Sequence, residues 1–265
     1  MFDFRFQIGS RMQASNFDLN AYFQRIGFTQ EAHADLATVT ALMRCQLRTV
    51  PFENLDVQAG KIVSLVPEEI VEKIVQRQRG GYCYEVNGLF AMALHALGLP
   101  YQFVAARPMF YPVRRPKTHM GIVVTIGAEK YLCDLGFGSY GIRAPLHLGS
   151  LDVELEQDFD CFKLSQLNEI DYLMQARVKG EWLNQYSFNL SPQEWIDFMP
   201  ANYLNSTHPD AIFVQKYLII KQNETGRVML VGDTFKRIHQ GEESERKISD
   251  AERPELLRNE FGLVL

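Results

Sequence analysis

Residues 78–90 read QRGGYCYEVNGLF, with a cysteine directly behind two glycines and directly ahead of a helical pattern. After Cys83, the apolar residues Val86, Leu89, Phe90, Ala93, Leu94 and Leu97 recur at three-and-four spacing, which predicts one apolar face of a helix. Gly98 and Pro100 supply the stop. The thiol therefore belongs at a helix N-terminus, where unpaired N–H groups and the peptide dipoles favour thiolate over thiol. Glycines before it permit a tight turn and a close approach of another chain segment. Inert packing is the competing reading, because free cysteine is among the most buried residue types.

Outward from that helix the texture divides. NFDLNAYFQRIGF, QEAHADLATVTALMRCQLRTV and PEEIVEKIVQRQ carry helical periodicity, the last with Pro67 and an acidic first turn, and VPFENLDV lies between the second and third. From about residue 100 the chain turns to short β-type runs, FVAAR, HMGIVVTI, KYLCDL and DYLMQARV. SPQEWIDFMPANYLNSTHPDAIF returns to helix then loop, with Ser191 and Pro192 as expected cap and first turn. KYLIIKQ and RVMLVGDTFKRI read as two strands across NETG, and ISDAERPELLRNEF as a closing helix. Helices, then strands, then strands plus helix is an α+β order, not a doubly wound parallel sheet.

Composition narrows the function. A chain of 265 residues, 46% hydrophobic and 22% charged, with net charge -5 and pI near 5.7, offers no basic patch for nucleic acid or an anionic membrane. The N-terminus MFDFRFQIGSRMQ lacks the apolar centre of a signal peptide. Cys45, Cys83, Cys133 and Cys161 are accordingly expected as free thiols in a reducing, cytoplasmic setting. No metal is expected, since Cys83, His119 and Cys133 match no ligand spacing.

A catalytic thiol needs a base and an orienting acid. His119 opens HMGIVVTI and Asp134 ends KYLCD, with Gly127-Ala128 between as a two-residue type II′ turn. That turn sets a register in which paired residue numbers sum to 255, placing Gly121 opposite Asp134 and His119 opposite Gly136. His119 and Asp134 are then diagonal neighbours on one face, with Gly121 leaving the carboxylate room. Nucleophile, base and orienter would be Cys83, His119 and Asp134. His33, His95, His147 and His239 are read as structural, as is His208, whose Pro-containing loop could face a ligand.

VPFENLDV, RGGYCYEVNGLF, THMGIVV, YLCDLGFG and STHPDAIF, in this order, closely resemble the motifs of arylamine N-acetyltransferases. The spacings resemble that family too, with 36 residues from Cys83 to His119 and 15 from His119 to Asp134. The resemblance covers residues 16–265 and leaves 1–15 outside it. It implies an N-terminal helical domain carrying the cysteine (1–98), a central β-barrel-like domain carrying His and Asp (99–205) and a C-terminal α/β lid (206–265) around a cysteine-protease-like core.

It further implies acetyl transfer from acetyl-coenzyme A to an aromatic amine or hydrazine through an acetyl-cysteine. Glu53 and Arg79 resemble a pair bracing the catalytic helix, and Phe52, Phe137 and Phe213 resemble the walls of the acyl and acceptor pocket. Ser206 and Thr207 resemble a loop approaching coenzyme A. Arg107, Arg114, Arg115 and Lys117 would meet its phosphates or form solvated surface. Gly121, where a larger aliphatic residue is common, and Ser139-Tyr140 depart from the family pattern and bear on acceptor choice. The same triad suits a cysteine hydrolase or an amide synthase using a longer acyl thioester; a non-catalytic binding module is the third reading.

Overall fold

The computed structural model describes residues 12–138 and 140–264, so expectations for residues 1–11 and for Ser139 lie outside the described residues. Helices come first: α1 (Leu19–Ile26), α2 (Leu36–Thr49), α3 (Leu55–Gln58), α4 (Pro67–Val71) and α5 (Cys83–Ala96). Side chains of Asp18 and Asp35 cap α1 and α2 by accepting from the amides of Ala21 and Thr38. A wider π turn, Glu72–Gln76, extends α4. Residues 12–15 are part of this layer, since Met12 is buried and its N–H donates to the Tyr101 hydroxyl at 2.7 Å.

The thiol does sit at the first position of α5, but the helix has no solvent face. Every residue from Cys83 to Leu94 is buried, including the polar Glu85 and Asn87. A buried polar group must find a partner, so those two are the informative departures from the apolar pattern. Gly80 shows why glycines precede the helix. A Cβ there would lie 2.0 Å from the Pro51 carbonyl oxygen, and the 51–53 segment, bridged to Gly81, could not pass.

Eight strands follow: β1 (Tyr101–Pro108), β2 (His119–Ile126), β3 (Glu129–Cys133), β4 (Leu146–His147), β5 (Leu155–Gln157), β6 (Asp160–Gln166), β7 (Asp171–Val178) and β8 (Glu181–Asn189). They form one sheet, in the order β4-β3-β2-β1-β8-β7-β6-β5, curled into half a barrel. β2 and β3 pair with residue numbers summing to 255, from Ile126↔Glu129 to Ile122↔Cys133. Gly127 has φ 63°. The ladder stops one pair short of Asp134, which belongs to a loop and is not paired with Gly121. A Cβ at Gly121 would meet only ordinary contacts of 3.5 Å and beyond, so the room expected there is not what orients the acid.

The helix expected from Ser191 starts instead at Trp195, as a 3-10 turn (Trp195–Phe198) running into α6 (Met199–Thr207). Residues before it are held extended, because the Gln193 amide donates to the Phe103 carbonyl. Asp197 then caps the turn by accepting from the Glu194 amide at 2.8 Å. After α7 (Ile212–Gln215) come β9 (Leu218–Asn223), β10 (Gly226–Val231), β11 (Thr234–His239) and β12 (Glu242–Lys247), a four-stranded meander closed by α8 (Arg253–Leu256) and a second π turn, Leu257–Phe261. RVMLVGDTFKRI is thus two strands, folded at Gly232 with φ 62°. β12 is fully exposed and charged, so it carries no apolar signal, as suits a sheet edge.

One apolar core runs through the helices and the large sheet, with α5 at its centre; a smaller one lies between the meander and α8. A boundary at 98/99 falls in the turn after α5, whereas one at 205/206 would cut α6.

Candidate active site

Cys83 opens α5, His119 opens β2, and Asp134 follows the last residue of β3. All three are buried, at 3%, 5% and 1% exposure. His119 Nε2 lies 2.7 Å from Asp134 Oδ2. A carboxylate only accepts, so Nε2 carries the proton in the neutral ring and Nδ1 is the basic nitrogen.

Two residues inside the quoted motifs, to which the sequence reading gave no catalytic role, hold this arrangement. Asn87, one helical turn beyond Cys83, donates to the Met120 carbonyl at 2.8 Å and to Asp134 Oδ1 at 3.2 Å, and its Oδ1 accepts from the Leu135 amide at 2.9 Å. One side chain therefore ties α5, β2 and the Asp134 loop together. Gly136 donates its amide to Asp134 Oδ1 at 2.9 Å, and a Cβ on it would lie 2.4 Å from Cys83 Cα. The loop can press against the nucleophile only because residue 136 is glycine. The available signal was spacing: Asn87 lies four residues after Cys83, on the same helix face.

Burial pushes the Cys83 thiol well above its ordinary value and the Asp134 charge adds to this, while the amides of Met120 and Tyr84 pull it down. A helix start alone is thus insufficient to ionise this thiol. Asp134 is shifted the other way: burial would raise it, but His119, the Gly136 amide and Asn87 outweigh that and hold it below the usual carboxylate value.

A cavity of about 360 Å³ has Cys83 and His119 on its wall, together with Phe52, Phe137 and Phe213. The Phe137 and Tyr186 rings pack on His119 with centroids 5.1 and 5.0 Å away. Phe213 packs against Phe52 at 6.0 Å and Tyr82 at 5.5 Å. Arg115 and His208 also line the cavity, and Arg115 lies over the Tyr111 ring at 4.8 Å. Arg107 bonds to the Arg115 carbonyl, and Arg114 is exposed.

Ser206 and Thr207 occupy the last turn of α6, not a loop. Ser206 is buried, accepting from the Val63 amide at 3.3 Å and lying 3.2 Å from the Tyr82 hydroxyl. Thr207 is exposed and donates to the Tyr203 carbonyl at 2.7 Å.

Glu53 Oε1 accepts from Arg79 at 2.8 and 3.0 Å, and Lys73 joins the pair. The four cysteines are free. Among the described residues, no group of three or more His, Cys, Asp or Glu could hold a metal ion, and no helix is long and apolar enough to cross a membrane.

A family model described as N-acetyltransferase matches residues 35–265. An arylamine N-acetyltransferase of Mycolicibacterium smegmatis is 32% identical over 257 residues, covering 94% of this chain and 92% of the relative. Arylamine N-acetyltransferase 1 of Homo sapiens is 31% identical over 276 residues, covering 94% of each. Among solved structures, the Nocardia farcinica arylamine N-acetyltransferase aligns with TM-score 0.89 at 31% identity, over 97% of this chain and 93% of that one. The Mycobacterium marinum arylamine N-acetyltransferase in complex with CoA aligns with TM-score 0.87 at 29% identity, over 92% of each chain.

Proposed function

This chain belongs to the arylamine N-acetyltransferase family, a family of acyltransferases, and from that premise we propose that it carries acetyl from acetyl-coenzyme A to aromatic amines or hydrazines on Cys83. The observation that carries the reading is His119, held by the buried Asp134, sharing one cavity wall with Cys83. A buried thiol with a raised pKa does not ionise by itself, so the proton goes to His119 Nδ1 and thiolate forms as one half of an ion pair whose two ionisations are coupled. Asp134 holds the ring and the positive charge it gains.

The thiolate then attacks the acetyl thioester. Negative charge builds on the carbonyl oxygen, and the Cys83 amide, at the first position of α5 where no helical carbonyl precedes it, is our candidate donor. Coenzyme A leaves as the thiol, taking the proton back from His119. In the second half the neutral amine attacks acetyl-Cys83, His119 removes its proton, and the cysteine is released. Arylamines suit this base because they are unprotonated near neutral pH.

Phe52, Phe137 and Phe213 are proposed as walls for acetyl and the aromatic ring, supported by their place on the cavity. Ser206 and Thr207 are proposed toward coenzyme A, supported by their neighbours Leu204, Asn205 and His208 on the same wall. The four free thiols support a reducing, cytoplasmic setting.

Mixing the protein with acetyl-coenzyme A and no amine is expected to release a burst of free coenzyme A near one equivalent per site, with one acetyl group mapped to Cys83. An aromatic amine or hydrazine should discharge it, an alkylamine poorly, and Cys83→Ala should abolish the burst in a folded protein. Steady turnover without amine would make it a hydrolase. Charging by a longer acyl thioester alone would make it an amide synthase, and absence of a burst with any thioester would leave a binding module.

A further inference from the structure

The first turn of α5 rests on a buried cluster of charges. Lys73, in the π turn after α4 and 6% exposed, has its ammonium 2.7 Å from Glu85 Oε1, 2.6 Å from Asp56 Oδ2 and 3.8 Å from Glu53 Oε1. Glu85 Oε2 accepts from the Tyr82 amide at 3.0 Å, closing the cap of the helix whose next residue is Cys83. Arg79 is already engaged by Glu53 at 2.8 Å and Asp56 at 3.5 Å. Three carboxylates thus face two cations, and of those cations only Lys73 has an ion pair with Glu85 among the described residues.

The arrangement creates a conflict that Lys73 resolves. Glu85 is needed as the acceptor of the cap, yet a carboxylate two residues from the nucleophile opposes thiolate formation. Groups acting on Cys83 are Asp134 from its loop, the amides of Met120 and Tyr84, and Glu85, Tyr82 and Tyr84 from the start of its own helix, while His119 of β2 faces the same cavity. Those acting on Glu85 are Lys73, Glu53, the Tyr82 amide and, without a direct ion pair, Arg79 and Cys83. Burial pushes the Glu85 carboxyl up to about 7 even with Lys73 beside it.

We propose that Lys73 is a positioning residue for the transfer reaction, fixing the Glu85 cap at the start of α5 and offsetting the Glu85 charge beside Cys83 wherever that carboxyl is ionised. The proposal rests on Cys83 being the nucleophile. Lys73 touches neither substrate nor sulfur, and acts through Glu85.

The test follows alkylation of Cys83 by iodoacetamide between about pH 5 and 10, spanning the free-thiol value, in the full chain and four variants. Lys73→Met should raise the apparent thiol ionisation by about one unit and slow alkylation about tenfold on the alkaline side of neutral, where Glu85 is ionised, one unit corresponding to a factor of ten; near neutral pH Glu85 takes a proton once its partner is gone, and the rate should change little. Lys73→Arg keeps the charge and should stay near wild type. Glu85→Gln should move the profile down. The double variant Lys73→Met/Glu85→Gln should return to within about threefold of wild type, since charge and counter-charge leave together. With acetyl-coenzyme A on the alkaline side of neutral, Lys73→Met should lower the acetylation rate with KM unchanged. An unmoved profile in Lys73→Met, or a loss retained in full by the double variant, overturns the proposal. Should Lys73→Met fail to fold, Glu85→Gln decides alone: a downward shift supports the proposal and an unmoved or upward one overturns it. If Cys83 in the unaltered protein reacts no faster than Cys45, the nucleophile reading itself is what fails.

Discussion

Asp134 shows how much a single residue carries at this site. Its two oxygens serve different groups: Oδ2 holds His119, while Oδ1 accepts from Gly136 and Asn87. Asp134→Asn retains size but offers an N–H₂ where the ring needs an acceptor, inviting the wrong tautomer. Acetylation by that variant should fall by on the order of 10⁴, the loss that the equivalent change causes in a serine protease triad; near-normal rates would remove Asp134 from the mechanism. A pH dependence follows from the same bonds. The depressed carboxyl contributes stability that is present above its ordinary value of 3.8 and lost as pH falls through the lower, folded-state value. Urea midpoints measured across the acid range should therefore fall less steeply in Asp134→Asn than in the unaltered protein.

At the scale of the element, α5 decides the architecture. Its periodicity reads as one apolar face, yet Ala91, off that face, is 0% exposed, and a Cβ at Gly88 would come within 2.9 Å of the Trp195 ring. Close packing all round leaves no room for larger polar side chains. Ala91→Gln should therefore cost about 1–3 kcal/mol from overpacking and an unpaired amide. Ala96→Gln, on the exposed last turn, should stay within about 0.5 kcal/mol. Denaturant midpoints compare the two, and equal tolerance would mean that α5 has a wet face. Rigid burial also suits the chemistry, since a nucleophile on such a helix has little freedom to drift from His119.

Across the whole molecule, the cavity has walls from all three stretches of chain: Phe52 and Cys83 from the helical part, His119 and Phe137 from the half-barrel, and Phe213, Leu218 and Ile220 from the C-terminal part. Phe52 and Ile220 exchange backbone hydrogen bonds at 2.8 and 2.9 Å. A second tie joins the half-barrel to the meander, where Asp160 of β6 pairs with both Arg143 and, at 2.6 Å, Arg227 of β10. Arg227 also lies over the Tyr140 ring on the cavity wall, at 4.5 Å. Asp160→Asn would leave the buried Arg227 with no carboxylate partner among the described residues and Arg143 with Asp158 alone, at 3.8 Å, and it should lower stability by about 3–5 kcal/mol. A midpoint within error of wild type would show that the tie is not needed.

Local chemistry is legible in the chain alone wherever it depends on neighbours in sequence. The start of α5 follows from QRGGYC and the apolar spacing after it; the β2–β3 register follows from a two-residue turn that admits one pairing. The five motifs in order pointed to the family without giving the fold of every segment, for Ser206 and Thr207 of STHPDAIF, expected in a loop, proved helical. Tertiary structure decided what depends on distant segments meeting. That α5 is buried all round, that Gly136 rather than Gly121 makes the close approach and that Lys73 reaches Glu85 are facts about packing, with no period or spacing to announce them; for Asn87 the spacing gave its helix face but not the β2 and loop groups it meets. The exposed strand β12 escaped for the opposite reason, because an edge with nothing to bury has no hydrophobic pattern to read.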